Sequence, residues 1–329
     1  MSNTAETLKK ISRYLNYILA VPMITFGMIG SILTVTMFIR RQIFWNNPTI
    51  TYLLAGAIMT AVHLPTIYLA IILASGFETY VMMKDNISCK LFNYFLYVTT
   101  AAAISFPGWA AFDQYACTNR AANFRHRWSS MRFVRRAIFG TILFWLIFYL
   151  PVFILTNINA SGCSIEILFV RQLNNYVFTP LVFTICPVIL VTFFMRGILA
   201  NLRLTAVVNR HTRLERQIRR MIIPQVVFLA ISGFPFGLES FYLEYTANVP
   251  KSDVRAAAEG VVLQMFRLFY HVNFVCTFYI YFYMSNEVRQ PIKQIVDRLI
   301  SVNRVTPAQT TISARSAAAV NNHIALSTN

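Results

Sequence analysis

Residues 89–116 read CKLFNYFLYVTTAAAISFPGWAAFDQYA, an apolar run over about 91–116 with Cys89 ahead of it and Asp113-Gln114-Tyr115 near its end. A helix rising about 1.5 Å per residue needs a run of this length to cross about 30 Å of hydrocarbon. Six more such runs lie at about 15–39, 51–75, 136–157, 176–200, 221–243 and 260–284. Each satisfies its own backbone hydrogen bonds as a helix, whereas barrel strands appear as alternating segments of about 10 residues. The pattern predicts an all-α membrane protein, a seven-transmembrane helix bundle. The first run begins too late and is too long for a cleaved signal peptide, and Pro22, Gly27 and Gly30 make no convincing small-residue cleavage site.

Composition agrees. Of 329 residues 57% are hydrophobic and 12% charged, with a mean hydropathy of +0.54, where a soluble domain carries about 25% charged residues. Disordered, collagen-like and disulfide-rich secreted classes are excluded. Only 11 glycines are present, fewer than a soluble enzyme with tight turns and phosphate-cradling loops would carry. The net charge of +17 implies no nucleic-acid partner, because the basic residues alternate with the long apolar runs.

That alternation sets an expected orientation. Arg40 and Arg41, six residues from Arg120 to Arg136, seven from Arg196 to Arg220 and five from Arg289 to Arg315 fall on one side. Lys9, Lys10, Arg13, Lys84, Lys90, Arg171, Lys251 and Arg255 fall on the other. By the positive-inside rule the larger set is cytoplasmic, with the N-terminus outside and the C-terminus inside, as an odd number of spans requires. The location expected is the plasma membrane, multi-pass, with the excess basic charge drawn to anionic lipid of the inner leaflet.

Residues 1–14 are then an extracellular tail too short to fold as a capture domain, 15–285 the transmembrane domain, 286–300 an amphipathic membrane-surface helix and 301–329 a disordered cytoplasmic tail. Two glycosylation sequons, at Asn86 and Asn159, fall in outer loops. Cys89 and Cys163 also face the oxidising exterior and form the natural disulfide, with two unpaired thiols as the alternative. Pro187 and Pro235 remove backbone donors within their runs, which permits kinks.

These residues resemble the rhodopsin-like (class A) G-protein-coupled receptors, in a divergent form, over about residues 15–295. Cys89 and Gln114 are 25 apart, as are that family's third-helix cysteine and the arginine of its Asp-Arg-Tyr motif. Trp145, Pro187 and Pro235 look like the family's reference residues in the fourth, fifth and sixth helices. Glu215, twenty before Pro235, matches its acidic residue at the start of the sixth. Thr277-Phe-Tyr-Ile-Tyr281 stands where the family has Asn-Pro-x-x-Tyr. The resemblance implies an extracellular ligand, a heterotrimeric G protein on the inner face and arrestin-type regulators acting on a phosphorylated tail. It also implies an activation switch of Asp113, Gln114, Tyr115, Glu215, Phe234, Pro235, Thr277 and Tyr281.

The departures change those expectations. Ser31 stands for the family's first-helix Asn, Thr60 for the second-helix Asp, and Ser232-Gly-Phe-Pro235 for Cys-Trp-x-Pro. With Thr60 and Ala103 at its positions, the family's buried sodium site is expected to be missing. Gln114 replaces the arginine, so its contact with Asp113 or Glu215 is a neutral hydrogen bond, weaker than a charge-assisted one. Raised basal activity and lost coupling are both consistent with that change.

Leu96 occupies the position where amine receptors of the family have an aspartate, which argues against an amine ligand. Gln264, Arg267 and His271 fall at i, i+3 and i+7 on one face of the last span. Arg267 within a span needs a cavity or a partner. Glu239 supplies the partner in a purely structural reading; an acidic small molecule or peptide C-terminus supplies it in a ligand-binding one. His271 by itself is more often a packing histidine than a sensor. The competing class is a transporter or channel, which would show internal repeats or ionisable residues in several spans; no repeat between halves is visible, and firm intramembrane charge lies in one helix only. No enzyme motif, cofactor site or metal site is expected.

Overall fold

The computed structural model describes residues 3–40, 46–77, 79, 84–159, 162–204, 213–286, 288–290 and 292. Seven helices in it are long and apolar enough to cross a membrane: α1 Asn3–Arg40, α2 Pro48–Ala74, α3 Asn86–Thr118, α4 Met131–Leu155, α5 Leu168–Asn201, α6 Arg220–Tyr245 and α7 Asp253–Met284. A short helix, Ala122–Trp128, follows α3. Between α4 and α5 stands a hairpin of β1 Thr156–Asn159 and β2 Gly162–Ile165, antiparallel, with Thr156 opposite Ile165 and Ile158 opposite Cys163.

The ends of these helices are written locally. Asn47 caps α2, accepting from the Ile50 N–H at 3.1 Å, and Pro48 occupies the first turn, where a missing N–H costs nothing. Asp85 caps α3, accepting from the Ser88 N–H at 2.6 Å. That backbone donor holds the Asp85 carboxyl below the usual carboxylate range. Its folded pKa is depressed, so the cap's contribution is present at neutral pH and lost as acid protonates the carboxylate. Ser130 and Ser252 cap α4 and α7 in the same manner.

Helix α3 is the axis of the bundle, with 61% of its most apolar window buried against 11% for α4. Its centre is built of small residues, Thr99, Thr100, Ala101, Ala102 and Ala103, which let neighbouring backbones approach closely. The α4 helix instead turns Phe139, Leu143, Phe144 and Ile147 outward. Large exposed apolar residues recur on α1, α5 and α6, a surface that fits a multi-pass membrane protein.

Three features depart from the sequence expectation. The segment expected as an extracellular tail is helical from Asn3 and continues into α1, burying Ala5. Four wide, π-helical turns interrupt the described helices, at Asn16–Ala20, Leu64–Tyr68, Asn174–Phe178 and Leu181–Ile185. Each accommodates an extra residue and rotates the side chains beyond it, as such turns do near functional sites. Third, α5 and α6 meet through glycine: a Cβ on Gly237 would lie 2.9 Å from Thr184 Oγ1, and the Thr184 hydroxyl donates to the Gly233 carbonyl at 2.8 Å. This Gly-x-x-x-Gly face permits close backbone contact beside Pro235.

Residues 286–300 form, with the rest of the C-terminal segment, a separate unit in which 286, 288–290 and 292 are helical. The remainder of the expected surface helix and the tail from 301 lie outside the described residues.

Tyr115 packs against Gly197 so closely that an added Cβ would sit 2.6 Å from its ring. Gly197→Ala should lower stability by about 1–3 kcal/mol through overpacking. Gly140→Ala, where a Cβ would meet nothing within 4 Å, should be neutral or stabilising by up to about 1 kcal/mol through helix propensity. Thermal unfolding of the two variants in detergent distinguishes these outcomes.

Candidate functional site

At one end of the unit, Cys89 and Cys163 form a disulfide with a Cα separation of 5.8 Å, bridging 74 residues and fastening the hairpin to the start of α3. Hydrogen bonds reinforce it. Asn86 Nδ2 donates to Asn157 Oδ1 at 3.0 Å, the Ile158 N–H donates to Asn86 Oδ1 at 3.2 Å, and Lys90 Nζ donates to the Ile154 carbonyl at 3.3 Å. The Asn86 amide, a glycosylation candidate, is therefore engaged on both of its atoms. Asn159 Nδ2 donates to Ser164 Oγ at 2.9 Å, and Ala160 and Ser161 of its sequon lie outside the described residues.

Below this roof, the three polar residues placed on one face of α7 reach three different neighbours. Gln264 Nε2 donates to Asn16 Oδ1 on α1 at 2.7 Å. Arg267 Nε donates to Glu239 Oε1 on α6 at 2.7 Å. His271 stacks on Tyr68 of α2 with ring centroids 4.1 Å apart. A common face did not make a common site, because long side chains of one face diverge to meet different helices. The ion pair is asymmetric: the Glu239 side chain is 3% exposed and that of Arg267 is 40% exposed. Glu239 Oε2 has no hydrogen-bond partner. Leu96 is half-buried and apolar, and its carbonyl accepts from Thr100 Oγ1 at 2.6 Å.

His63, absent from the expected site, joins it. Its ring lies 5.8 Å from that of His271, with the planes 16° apart. The hydrogen-bond network assigns both tautomers. Thr99 Oγ1 donates to the Phe95 carbonyl at 2.6 Å, so the 3.0 Å contact of His63 Nδ1 to that hydroxyl has the imidazole as donor. His271 Nδ1 lies 2.7 Å from the Arg267 carbonyl, which can only accept. In the neutral rings the Nε2 atoms of both histidines then carry lone pairs, and both are buried without a partner, as are the hydroxyls of Tyr68, Tyr149 and Tyr270. Nothing in the spacing of His63 and His271 along the chain signalled this pairing.

Midway along the bundle a cavity of about 20 Å³ is lined by Thr60, Ala103, Gln225, Asn273, Thr277 and Tyr281 among apolar residues, with no carboxylate. That space accommodates about one water molecule. Tyr281 donates to Gln225 Oε1 at 2.7 Å, linking α7 to α6, and Thr277 Oγ1 donates to the Asn273 carbonyl at 2.8 Å.

At the far end of α3, Gln114 Nε2 donates to Thr49 Oγ1 at 2.7 Å, and the Thr49 hydroxyl donates in turn to Asp113. All three are buried. Gln114 thus reaches the carboxylate through a threonine of α2 that the sequence did not single out. Tyr115 lies among Phe124, Phe193 and Phe194. The Glu215 side chain lies outside the described residues. Phe234, expected within the switch, is turned outward and 61% exposed. The inward side of that turn belongs to Gly233, through its carbonyl bond to Thr184.

Among the described residues no group of three His, Cys, Asp or Glu side chains converges as metal ligands do. No family model matches the chain, and no curated protein matches it.

Arg267→Gln strands a carboxylate that is 3% exposed, whereas Glu239→Gln leaves a guanidinium that is 40% exposed. The arginine variant should therefore lose on the order of 2 kcal/mol more stability than the glutamate variant, with the double variant recovering much of that loss. Unfolding temperatures of the three proteins test the ordering; equal losses for the two single variants would contradict it.

Proposed function

We propose that the protein is a receptor of the rhodopsin-like G-protein-coupled type, in the plasma membrane with its N-terminus outside. It converts binding of an extracellular ligand among α2, α3, α6 and α7 into opening of the cytoplasmic face. The observation that carries this reading is the two-ended build of α3. A disulfide fixes one end to a hairpin roof, and the other ends in a buried polar junction that runs from Gln114 through Thr49 to Asp113.

Ligand and G protein would each favour the same open state and so favour each other's binding. At the ligand end, the half-exposed Arg267 guanidinium suits an acidic group on a small molecule or peptide, which would compete with Glu239 for it. The unpartnered nitrogens of His63 and His271 would accept from donors on the same molecule. Between the ends, the Gly233–Thr184 contact beside Pro235 is where α6 would pivot, and the Tyr281–Gln225 bond is what its movement would strain. On the cytoplasmic side the basic ends of α5 and α6 would contact the G protein, residues 286–300 would lie along the membrane surface, and the tail would take phosphates that recruit arrestin-type regulators.

Gln114 contributes a neutral hydrogen bond where the family has a charge-assisted one, so the resting state is held less firmly. Ligand-free G-protein activation, measured in cells at matched surface expression, should fall in Gln114→Arg. It should rise in Thr49→Val, which removes the hydroxyl joining Gln114 to Asp113; each change should be about two- to tenfold, as for the loss of one hydrogen bond of about 1 kcal/mol. Silence of all three proteins across every G-protein class, together with solute flux in the wild type, would instead identify a transporter.

A further inference from the structure

Two cavities that the receptor reading leaves unused meet at Trp128. The first, about 870 Å³, is lined by His126, Arg127, Trp128, Ser130, Arg132 and Arg136 among others. The second, about 520 Å³, is a crevice between α3, α4 and α5 bounded by Gly108, Trp109, Trp128, Trp145, Pro187 and Leu190 among others.

The first is an anion site by its chemistry. Arg127, Arg132 and Arg136 are exposed, and among the described residues none is in an ion pair. The Arg127 guanidinium lies over the Trp128 ring, 5.7 Å from its centroid. No carboxylate lines the pocket. Three guanidiniums around one concavity repel one another, and a group with several phosphates relieves that repulsion with bidentate contacts.

The second is a hydrocarbon site by the same test. The Trp109 indole N–H donates to Thr141 Oγ1, and the Trp145 N–H donates to Ser105 Oγ, each at 2.9 Å. The indole N–H groups are thereby satisfied, and both rings line the crevice. The crevice opens sideways past Leu181 and Leu190, which are 38% and 50% exposed. A Cβ on Gly108 would meet nothing within 4 Å.

We propose that the two cavities form one amphipathic lipid site, which takes the multiply phosphorylated headgroup of an inositol phospholipid in the arginine pocket and one of its acyl chains in the crevice. Trp128, lining both, sits at the junction of head and chain, where amphipathic rings favour the interface. The proposal rests on the orientation given above only for the leaflet that supplies the lipid. It asks nothing of signalling, so its failure and that of the receptor reading are separable.

The test uses the full-length protein in nanodiscs, which expose both faces, doped with phosphatidylinositol bisphosphate or with phosphatidylserine at matched total charge; soluble inositol trisphosphate probes the headgroup alone. The wild type should retain the inositol lipid in preference to phosphatidylserine. The combined Arg127→Gln, Arg132→Gln, Arg136→Gln variant, whose changes are all at exposed positions, should bind it on the order of a hundredfold more weakly. Gly108→Leu fills the crevice without meeting the bundle, and should weaken the whole lipid about tenfold while leaving inositol trisphosphate binding unchanged. Equal retention of the two lipids would reduce the arginines to diffuse membrane attraction and overturn the proposal. Inositol trisphosphate binding as tightly as the lipid, with Gly108→Leu without effect, would overturn it in favour of a free-anion or protein-docking pocket.

Discussion

Bundle helices with apolar outward faces have no water at hand for a buried polar group, so each such group must find its partner inside the protein. This constraint organises the whole molecule, and α7 shows how. Gln264 bonds Asn16 on α1, Arg267 bonds Glu239 on α6, His271 stacks on Tyr68 of α2, and Tyr281 bonds Gln225 on α6. Successive polar residues of one helix thus pin three neighbours, and sliding α7 by a turn would break all four contacts together. Local carbonyls absorb most remaining hydroxyls, as Thr99, Thr100 and Ser105 do on α3.

The constraint is met unevenly. At the far end of α3 the polar groups of Gln114, Thr49 and Asp113 are joined in series. Toward the disulfide end, the second oxygen of Glu239, the bare nitrogens of His63 and His271 and the hydroxyls of Tyr68, Tyr149 and Tyr270 are buried without partners. Unused hydrogen-bonding capacity in a core is costly. Much of it lies in the half nearer the disulfide, where the wide turns at Leu64–Tyr68 and Leu181–Ile185 interrupt the regular backbone.

Some of the site was legible in the chain. An arginine within an apolar run demanded a partner, and Glu239, about a turn beyond Pro235, was one of the two candidates for it, beside an acidic ligand; the disulfide followed from two cysteines on one side of the bundle. Other parts were not. Thr49 lies 64 residues from the Asp113 it bonds, and a threonine near a helix start looks the same whether its hydroxyl caps, back-bonds or reaches another helix. The motif alignment puts Gly233 at the tryptophan's position and Phe234 at the variable one beside it, and it is Phe234 that turns outward. Gln264, Arg267 and His271 shared a face but not a destination, because a helical face fixes only the direction of Cβ and not where a long side chain ends.

The sequence by itself determined the number of helices, their approximate bounds and the alternation of charge between their ends, because crossing length, backbone satisfaction and the aversion of charge to hydrocarbon are properties of each segment alone. Only the tertiary structure decided that α3 is the axis, that His63 meets His271, that Gly197 exists to seat Tyr115, and that a basic pocket and an apolar crevice join at Trp128. Those facts depend on rotations of whole helices about their axes, set by π-turns and by small-residue contacts between chain-distant segments, and no local periodicity encodes a rotation relative to a neighbour.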